Sequence, residues 1–544
     1  WVGMAVCIPT YLLAADMLRN GLSWLTAILI ILAGNVIVAI PMVLNAHAGT
    51  KYGIPFPVFG RAVFGIYGVH LPAVLRGIVA CGWFGIQTWV GGKAIIALGL
   101  VLYDPELSYL ATVQANPWLE FLGFGIFWLI QMYFVYAGTE SIKWLENWSA
   151  PILIAVGVTL LVWAIFVGGS LGQVLERSQD FSRPAISLTR METGLSVQFQ
   201  LQKNDAGQQR ATKFRYQTEH VGQSELQQPL ADKPFQTITD TIVIPGTFSA
   251  ADAVRFQFAS DSYVSPETLT VQVTPPVREP DWLTILFWLA AMVGYWATLA
   301  LNIPDISRYA RSQSAQLMGQ FMGLPVTMMF YSFIGVAATS AAIIAFDHVL
   351  TVQDAPWDPV TLISLIGGNR FTGTIGQFAL LVATLSTNIA ANIISPANSF
   401  ANVWPKKISW RTGGMIAGVL GILLMPWKLT GLIAGFLITY GSVLGPVVAV
   451  MIADYYFLRK TELSQADLFR VKGAYTFHAG FNWVSIVAAT VGAAIVLISG
   501  QLAGQSLFFK AFSYGAWFSG FLISFLIYGL FVQVPAVRSH ILGK

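Results

Sequence analysis

Twelve stretches of roughly twenty mostly apolar residues divide the chain, and each is long enough to cross the ~30 Å hydrocarbon layer of a bilayer as a helix. They centre on 1–16, 24–45, 79–102, 118–137, 148–168, 282–303, 323–346, 373–395, 411–426, 430–453, 480–499 and 511–532. Backbone polar groups in lipid must be satisfied within the spanning segment, so the expected fold is an all-α polytopic membrane protein. Only 10% of the 544 residues are charged and 55% are hydrophobic. That balance excludes a nucleic-acid binder, a disordered scaffold and an ordinary cytosolic enzyme. The chain opens at Trp1 directly in apolar sequence, which reads as a truncation inside the first span.

Charge is unevenly placed. Residues 170–281 hold 10 Lys/Arg and 13 Asp/Glu, against 20 and 13 in all the rest, and none of the 18 Trp. The chain therefore divides into spans 1–5 (1–170), an inserted stretch of soluble composition (171–281) and spans 6–12 (282–544). Lys51, Arg61, Arg76, Lys143, Arg308, Arg311, Lys406, Lys407, Arg411, Arg459, Lys460, Arg470, Lys472, Arg538 and Lys544 fall on one side of this arrangement. The positive-inside rule makes that side cytoplasmic and the insert extracytoplasmic, in an integral plasma (inner) membrane protein. In the insert LSVQFQLQ alternates strictly, with Leu195, Val197, Phe199 and Leu201 on one face, and VRFQF and LTVQV repeat the pattern. Period-two alternation between polar turns predicts a β-sandwich-like module. It is either a tolerated passenger or a surface for an unknown partner or for substrate capture.

Two spans look interrupted: the first by Pro9, the sixth by Gly294 and Pro304. Broken helices at membrane depth are tolerated where they line a cavity, although proline kinks that only adjust packing read the same way. Trp83 and Gln87 in the third span lie four residues apart, on one helical face. An indole beside an amide suits a planar, hydrogen-bonding heterocycle, with Trp296 as a second ring; plain aromatic packing is the alternative. In ATLSTNIAAN, Ser386 and Thr387 offer adjacent hydroxyls and Asn392 follows within two turns. Hydroxyls with carbonyls of a broken helix suit a small cation, yet such hydroxyls also bond back to their own helix. Lys93 is either functional or snorkels to the interface. Cys7 and Cys81 form no metal or disulfide pattern, and six scattered His give no cluster.

The strings KYGIPFPVFGRAVFG, LRGIVACGWFGIQTWVGG, YWATLALNIPDISRYAR, ATLSTNIAANIISPANSF and MIADYYFLRK with DLFRVKGAYTF resemble the nucleobase:cation symporter-1 family, in the same order through both halves. The resemblance implies a leucine-transporter-like fold of two inverted five-span repeats plus two peripheral spans. It implies that Trp83 and Trp296 sandwich the ligand and that Gln87 and Asn392 bond its edge. It also implies a sodium site from the carbonyls of Gly3, Val6 and Ala383 and the hydroxyls of Ser386 and Thr387. Where a well-understood hydantoin-type member of that family has Gln and Gly, this sequence has Cys7 and Tyr295, which alters the pocket's polarity and shape. Asp305 and Arg308 read as structural, with a gate role as the alternative.

The expected function is import of a nucleobase or related purine, pyrimidine, allantoin or hydantoin-type heterocycle by cation symport through alternating access. Sodium is the expected coupling ion and a proton the alternative; no other cofactor and no nucleic acid is implied. A transporter-like sensor signalling through the outer module is the rival reading. No nucleophile–base pair or carboxylate dyad in the spans suggests an enzyme.

Overall fold

The computed structural model describes all residues except 183–184, 192, 204–207, 220–229, 240, 266–267, 274–280, 352–353, 430–432 and 543–544. The exit of the inserted stretch, the first residues of the tenth predicted span and Lys544 thus lie outside the described residues.

The first half comprises α1 (Val2–Ala5), α2 (Ile8–Arg19), α3 (Trp24–Tyr52), α4 (Phe56–Phe64), α5 (His70–Tyr103), α6 (Tyr109–Ala115), α7 (Trp118–Ala137), α8 (Thr139–Gly168) and α9 (Leu171–Arg177). The second comprises α10 (Asp281–Asn302), α11 (Pro304–Ser307), α12 (Gln313–Ala345), α13 (Pro359–Ile366), α14 (Arg370–Asn392), α15 (Ile394–Val403), α16 (Trp410–Leu423), α17 (Pro426–Leu429), α18 (Ile433–Ile452), α19 (Trp483–Gln501), α20 (Leu507–Tyr514), α21 (Ala516–Phe531) and α22 (Pro535–Leu542). Among the described residues nine helices are long and apolar enough to span a membrane, or ten if α20 and α21, bent by 87°, count as one. The first and ninth predicted spans fall on shorter pieces, α1 with α2 and the 14-residue α16. Serine or asparagine side chains at Ser23, Ser312, Asn369 and Ser409 cap several helices by accepting a first-turn N–H.

The interruptions differ from expectation in position. The first segment breaks at Val6–Cys7, where Cys7 is extended (φ −145°). Pro9 sits in the first turn of α2, where its missing N–H has no intrahelical partner to lose. Gly294 breaks nothing: α10 runs unbroken to Asn302, and the chain interrupts at Ile303, before Pro304. Gly294 is instead a close approach, since a Cβ there would stand 3.1 Å from the Leu437 carbonyl of α18. Trp296 accordingly lies inside a continuous helix rather than beside a break. A further interruption falls at Ile393, between α14 and α15.

Arg76 also departs from expectation. The sequence places it among the basic loop residues, but it lies in the second turn of α5 with 1% of its surface exposed. Several others do meet on one side. Lys51 pairs with Glu462 at 2.8 Å, and Arg61 donates to the Leu468 carbonyl. The buried Arg459 pairs with Asp454 at 2.6 Å and donates to the Ala62 carbonyl. The two distant strings around residues 51–65 and 451–470 are therefore one packed unit. Lys93 lies 3.7 Å from Glu120, in the first turn of α7, with both side chains partly exposed.

The inserted stretch forms two antiparallel sheets from β1 (Ile186–Met191), β2 (Gly194–Phe199), β3 (Lys213–Glu219), β4 (Gln236–Thr237), β5 (Thr241–Pro245), β6 (Ala253–Ala259) and β7 (Leu269–Gln272). The strand orders are β1-β2-β5 and β4-β3-β6-β7. Leu195, Val197 and Phe199 of β2 face inward as their alternation requires, and Phe199 meets Phe214, Phe256 and Phe258 of the other sheet at 5.2–6.1 Å between ring centres. One residue of this core comes from elsewhere: Leu350, fully buried, belongs to the connection 346–358 that follows α12. Arg210 reaches the same connection, donating to the carbonyls of Ile343, Phe346 and Val349 at the end of α12. Ser265 bonds Asp354, and Phe181 packs on Trp357 with ring centres 4.3 Å apart. Trp357 in turn lies under the guanidinium of Arg19, the last residue of α2.

Candidate functional site

The break at Val6–Cys7 frees backbone groups of α1 at the level of the last third of α14. Thr387 Oγ1 donates to the Gly3 carbonyl at 2.8 Å, and Ser386 Oγ reaches the same oxygen at 3.4 Å. Both hydroxyls reach across to α1 in these bonds, whereas Thr384, one turn earlier, bonds back to Leu380 of its own helix. Ser149 of α8 adds a third hydroxyl, 2.8 Å from Ser386. Val6 and Ala383 are buried in one apolar cluster; Ala383 lies within one helical turn of the hydroxyl pair. Gly3, Ser386 and Thr387 are thus brought together, and the oxygen-rich junction joins α1, α8 and α14. The oxygens these contacts bring together, two hydroxyls and a carbonyl with a third hydroxyl beside them, are hard and neutral.

The second cluster gathers around Tyr295. Trp83 meets its ring edge-on at 5.3 Å between centres, and Trp296 does so at 5.0 Å. The two indoles therefore flank one phenol. Trp83 Nε1 donates to the Tyr440 hydroxyl at 3.3 Å. Tyr295 Oη lies 3.2 Å from Cys7 Sγ, which also contacts Thr10 Oγ1 at 3.3 Å. Cys7, at the chain break, and Tyr295, next to Trp296, thus touch each other.

Two buried polar atoms in this region have no hydrogen-bond partner among the described residues: Gln87 Oε1, an acceptor, and Trp296 Nε1, a donor. Gln87 is 4% exposed and Trp296 3%. Burying such groups unpaired is costly, and a ligand carrying both a donor and an acceptor edge would satisfy them.

Asn392 does not stand alone. It donates to Asn388 Oδ1 at 2.9 Å, and Asn388 donates to Gln131 Oε1 at 2.6 Å and to the Phe84 carbonyl at 3.0 Å. Gln131 Nε2 reaches Thr88 Oγ1 at 2.9 Å. This ladder fixes the Asn392 amide relative to α5 and α7 one residue from Trp83. Asn388, Gln131, Ser149 and Tyr440 were not among the sequence candidates. Gln131 carried a usable signal, a lone polar residue within FWLIQMYF. Ser149 and Tyr440 carried none.

Asp305 accepts from the Phe56 N–H at 3.0 Å, at the N-terminus of α4, and from Asn302 Nδ2 at 3.3 Å. A carboxylate at a helix N-terminus is a favourable placement. Arg308 instead donates to the Tyr309 hydroxyl at 2.8 Å. Among the described residues no group of three or more His, Cys, Asp or Glu could hold a metal ion.

A family model for permeases for cytosine/purines, uracil, thiamine and allantoin matches residues 1–191 and 257–525. The unmatched 192–256 falls within the two-sheet module. The purine-uracil permease NCS1 of Arabidopsis thaliana is 33% identical over 503 residues, covering 90% of this chain and 66% of the plant protein. The allantoin permease of Bacillus subtilis (strain 168) is 31% identical over 539 residues, covering 98% and 89%. Among solved structures, the nucleobase-cation-symport-1 family transporter Mhp1, closed with bromovinylhydantoin bound, superposes with a TM-score of 0.63 at 21% identity, covering 99% of this chain and 91% of that one. MhsT in complex with L-phenylalanine gives 0.52 at 12% identity, covering 97% and 96%. At these identities the two structures establish a shared fold.

Proposed function

Because the chain belongs to the family of permeases for cytosine and purines, uracil, thiamine and allantoin, and is an integral multi-pass membrane transporter, we propose that it imports a planar nitrogen heterocycle by sodium symport. In this reading the first ten segments form two inverted sets of five, the last two are peripheral, and the β module stands outside the plasma membrane. The substrate lies between Trp83 and Trp296, with Tyr295 displaced or lining one edge, and bonds Gln87, Trp296 and Asn392. Sodium takes the oxygens of Gly3, Val6, Ala383, Ser386 and Thr387.

The observation that carries the substrate half is the unpaired donor and acceptor, Trp296 Nε1 and Gln87 Oε1, buried among aromatic rings. The meeting of Gly3 with Ser386 and Thr387 supports the ion half. A hydroxyl either donates its proton to that carbonyl or turns a lone pair, beside the carbonyl, toward a cation. Ion binding therefore rearranges the α1–α14 junction, next to Cys7 and Tyr295, and so reaches the substrate site. Coupling by this route is reciprocal.

Purified protein in proteoliposomes tests the proposal with labelled uracil, cytosine, adenine, guanine, uric acid, allantoin, hydantoin and thiamine. The expected result is saturable accumulation of at least one of them, driven by an inward sodium gradient. Accumulation driven by a proton gradient and indifferent to sodium would replace the ion. Binding without accumulation would replace transport with sensing.

A further inference from the structure

Arg76 is a cation buried where two helices end. Its Nε donates to the Asn302 side-chain oxygen at 2.7 Å and to the Thr298 carbonyl at 3.0 Å, both in the last turns of α10. Its Nη2 donates to the Ala391 carbonyl at 3.2 Å, in the last turn of α14. The carbonyl ends of both helices carry partial negative charge and so hold a guanidinium away from water. Asn302 passes the contact on to Asp305.

The position matters because of what meets there. Arg76 lies seven residues before Trp83, hence on the same face of α5 and two turns away. Thr298 lies two residues after Trp296, and Ala391 immediately precedes Asn392. The guanidinium thus joins the three helices that supply the proposed substrate ligands, on the side of the site toward Lys406 and Lys407. α5 packs mainly on α7, α14, α15 and α16, whereas α10 packs mainly on α3 and α18, and α5 and α10 touch only sparsely. Arg76 bolts a thinly packed seam.

Among the described residues three buried polar atoms of α5 and of α15, which packs on it, have no partner: Arg76 Nη1 and the hydroxyls of Ser395 and Ser399, one turn apart on α15. α15 packs directly on this part of α5, with the Phe400 ring 3.2 Å from where a Cβ of Gly77 would lie. Unpaired groups in a dry seam are explained if the seam hydrates in another state of the transporter.

We propose that Arg76 is a positioning residue of the transport cycle, a latch that holds the inner seam between α5 and α10 closed, and that the heterocycle leaves past Ser395 and Ser399 when it opens. The proposal rests on the transport reading above, but its test needs no substrate. Ser399→Cys reports the inner path, and Val90→Cys, one turn beyond Gln87 on α5, reports the outer side. Each is placed in purified full-length protein and alkylated with a water-soluble maleimide, the reporter-free chain setting the background from buried Cys7 and Cys81.

Arg76→Met should speed alkylation of the inner reporter, Ser399→Cys, by about tenfold and slow that of the outer reporter, Val90→Cys, because the population shifts toward the inward-open state. Arg76→Lys should give a smaller shift, since a compact ammonium cannot serve Thr298, Asn302 and Ala391 together. Asn302→Ala removes the shortest bond while leaving the arginine, and should shift both reporters in the same directions by less; it decides the matter if Arg76→Met does not fold. Unchanged rates at both reporters in well-folded variants would overturn the latch. Acceleration at both reporters would also overturn it, because that is general loosening. Failure of all uptake, with the opposed reporter shifts intact, would refute the substrate or ion assignment and leave the latch standing.

Discussion

Removing the Thr387 hydroxyl separates the ion from the substrate. Thr387→Ala deletes the 2.8 Å bond to Gly3 and leaves that carbonyl with the longer 3.4 Å contact from Ser386. A neutral buried hydrogen bond contributes about 1 kcal/mol, and losing it costs up to about 3 kcal/mol where the acceptor is left wholly unsatisfied, which the remaining Ser386 contact prevents here. In sodium binding the same change removes one of five proposed oxygens. A loss of about 1–2 kcal/mol raises the half-saturating sodium concentration roughly 5- to 30-fold. Thr387→Ser keeps the oxygen and should stay near the parent, while Thr387→Val keeps the shape and should behave like alanine. Thermal stability measured against sodium at constant ionic strength, with and without substrate, reads both couplings. By linkage, the factor by which sodium strengthens substrate binding must equal the factor by which substrate strengthens sodium binding in every variant. A sodium midpoint in Thr387→Ala and Thr387→Val equal to the parent's would refute the oxygen assignment, whatever happened to stability.

Trp83→Ala removes a buried ring and its bond to Tyr440, and should weaken substrate binding by at least about tenfold in equilibrium binding. Gln87→Leu removes an acceptor with no protein partner, so it should leave melting near the parent's or raise it while reducing affinity; falling stability with unchanged affinity would assign Gln87 to packing. Cys7→Ala and Tyr295→Phe share one contact and should change substrate preference non-additively, by about 0.5 kcal/mol or more of coupling in a double-mutant cycle. Arg210→Ala deprives three carbonyls of a charged donor and should cost roughly 2–3 kcal/mol, seen as a lower melting temperature and faster proteolysis within 171–281. His348 in the same connection lies between the rings of Phe346 and Tyr263, and burial holds its pKa below the ordinary histidine value. Its stabilising contribution is therefore full above pH ~6.5 and lost as pH falls toward the depressed value. Asp347 and Asp354 oppose that shift and Arg210 adds to it. Burial raises the Asp354 carboxyl, which moves stability the other way in more acid solution, so His348→Gln should abolish only the loss near neutrality.

Length and apolarity made the spans readable, because a bilayer tolerates few alternatives to a helix of that size. The alternation in 195–202 was readable for a similar reason: Leu195, Val197 and Phe199 can share a face only in a strand. The site was partly readable. Trp83 with Gln87, and Ser386 with Thr387, are neighbours along the chain, and helical spacing suffices to pair them. Arg76 was misplaced because an arginine near the start of a long apolar run looks the same whether it faces water or two converging carbonyl ends. Gly294 misled because a glycine needed for contact with Leu437 is indistinguishable in sequence from one that breaks a helix. The Asn392–Asn388–Gln131–Thr88 ladder joins three helices, and only the first two members share one.

Leu350 also sets an order of events in synthesis. The strands of residues 186–272 leave the ribosome first, but one residue of their core, and the carbonyls that Arg210 holds, arrive only after α10–α12 have been made and threaded through the lipid. Until then the module carries an open apolar gap, a candidate for aggregation or for a holding chaperone. Its final closure reports that the sixth and seventh spans are in place, so a chain with a mis-threaded α10 or α12 would be marked by an unfinished module.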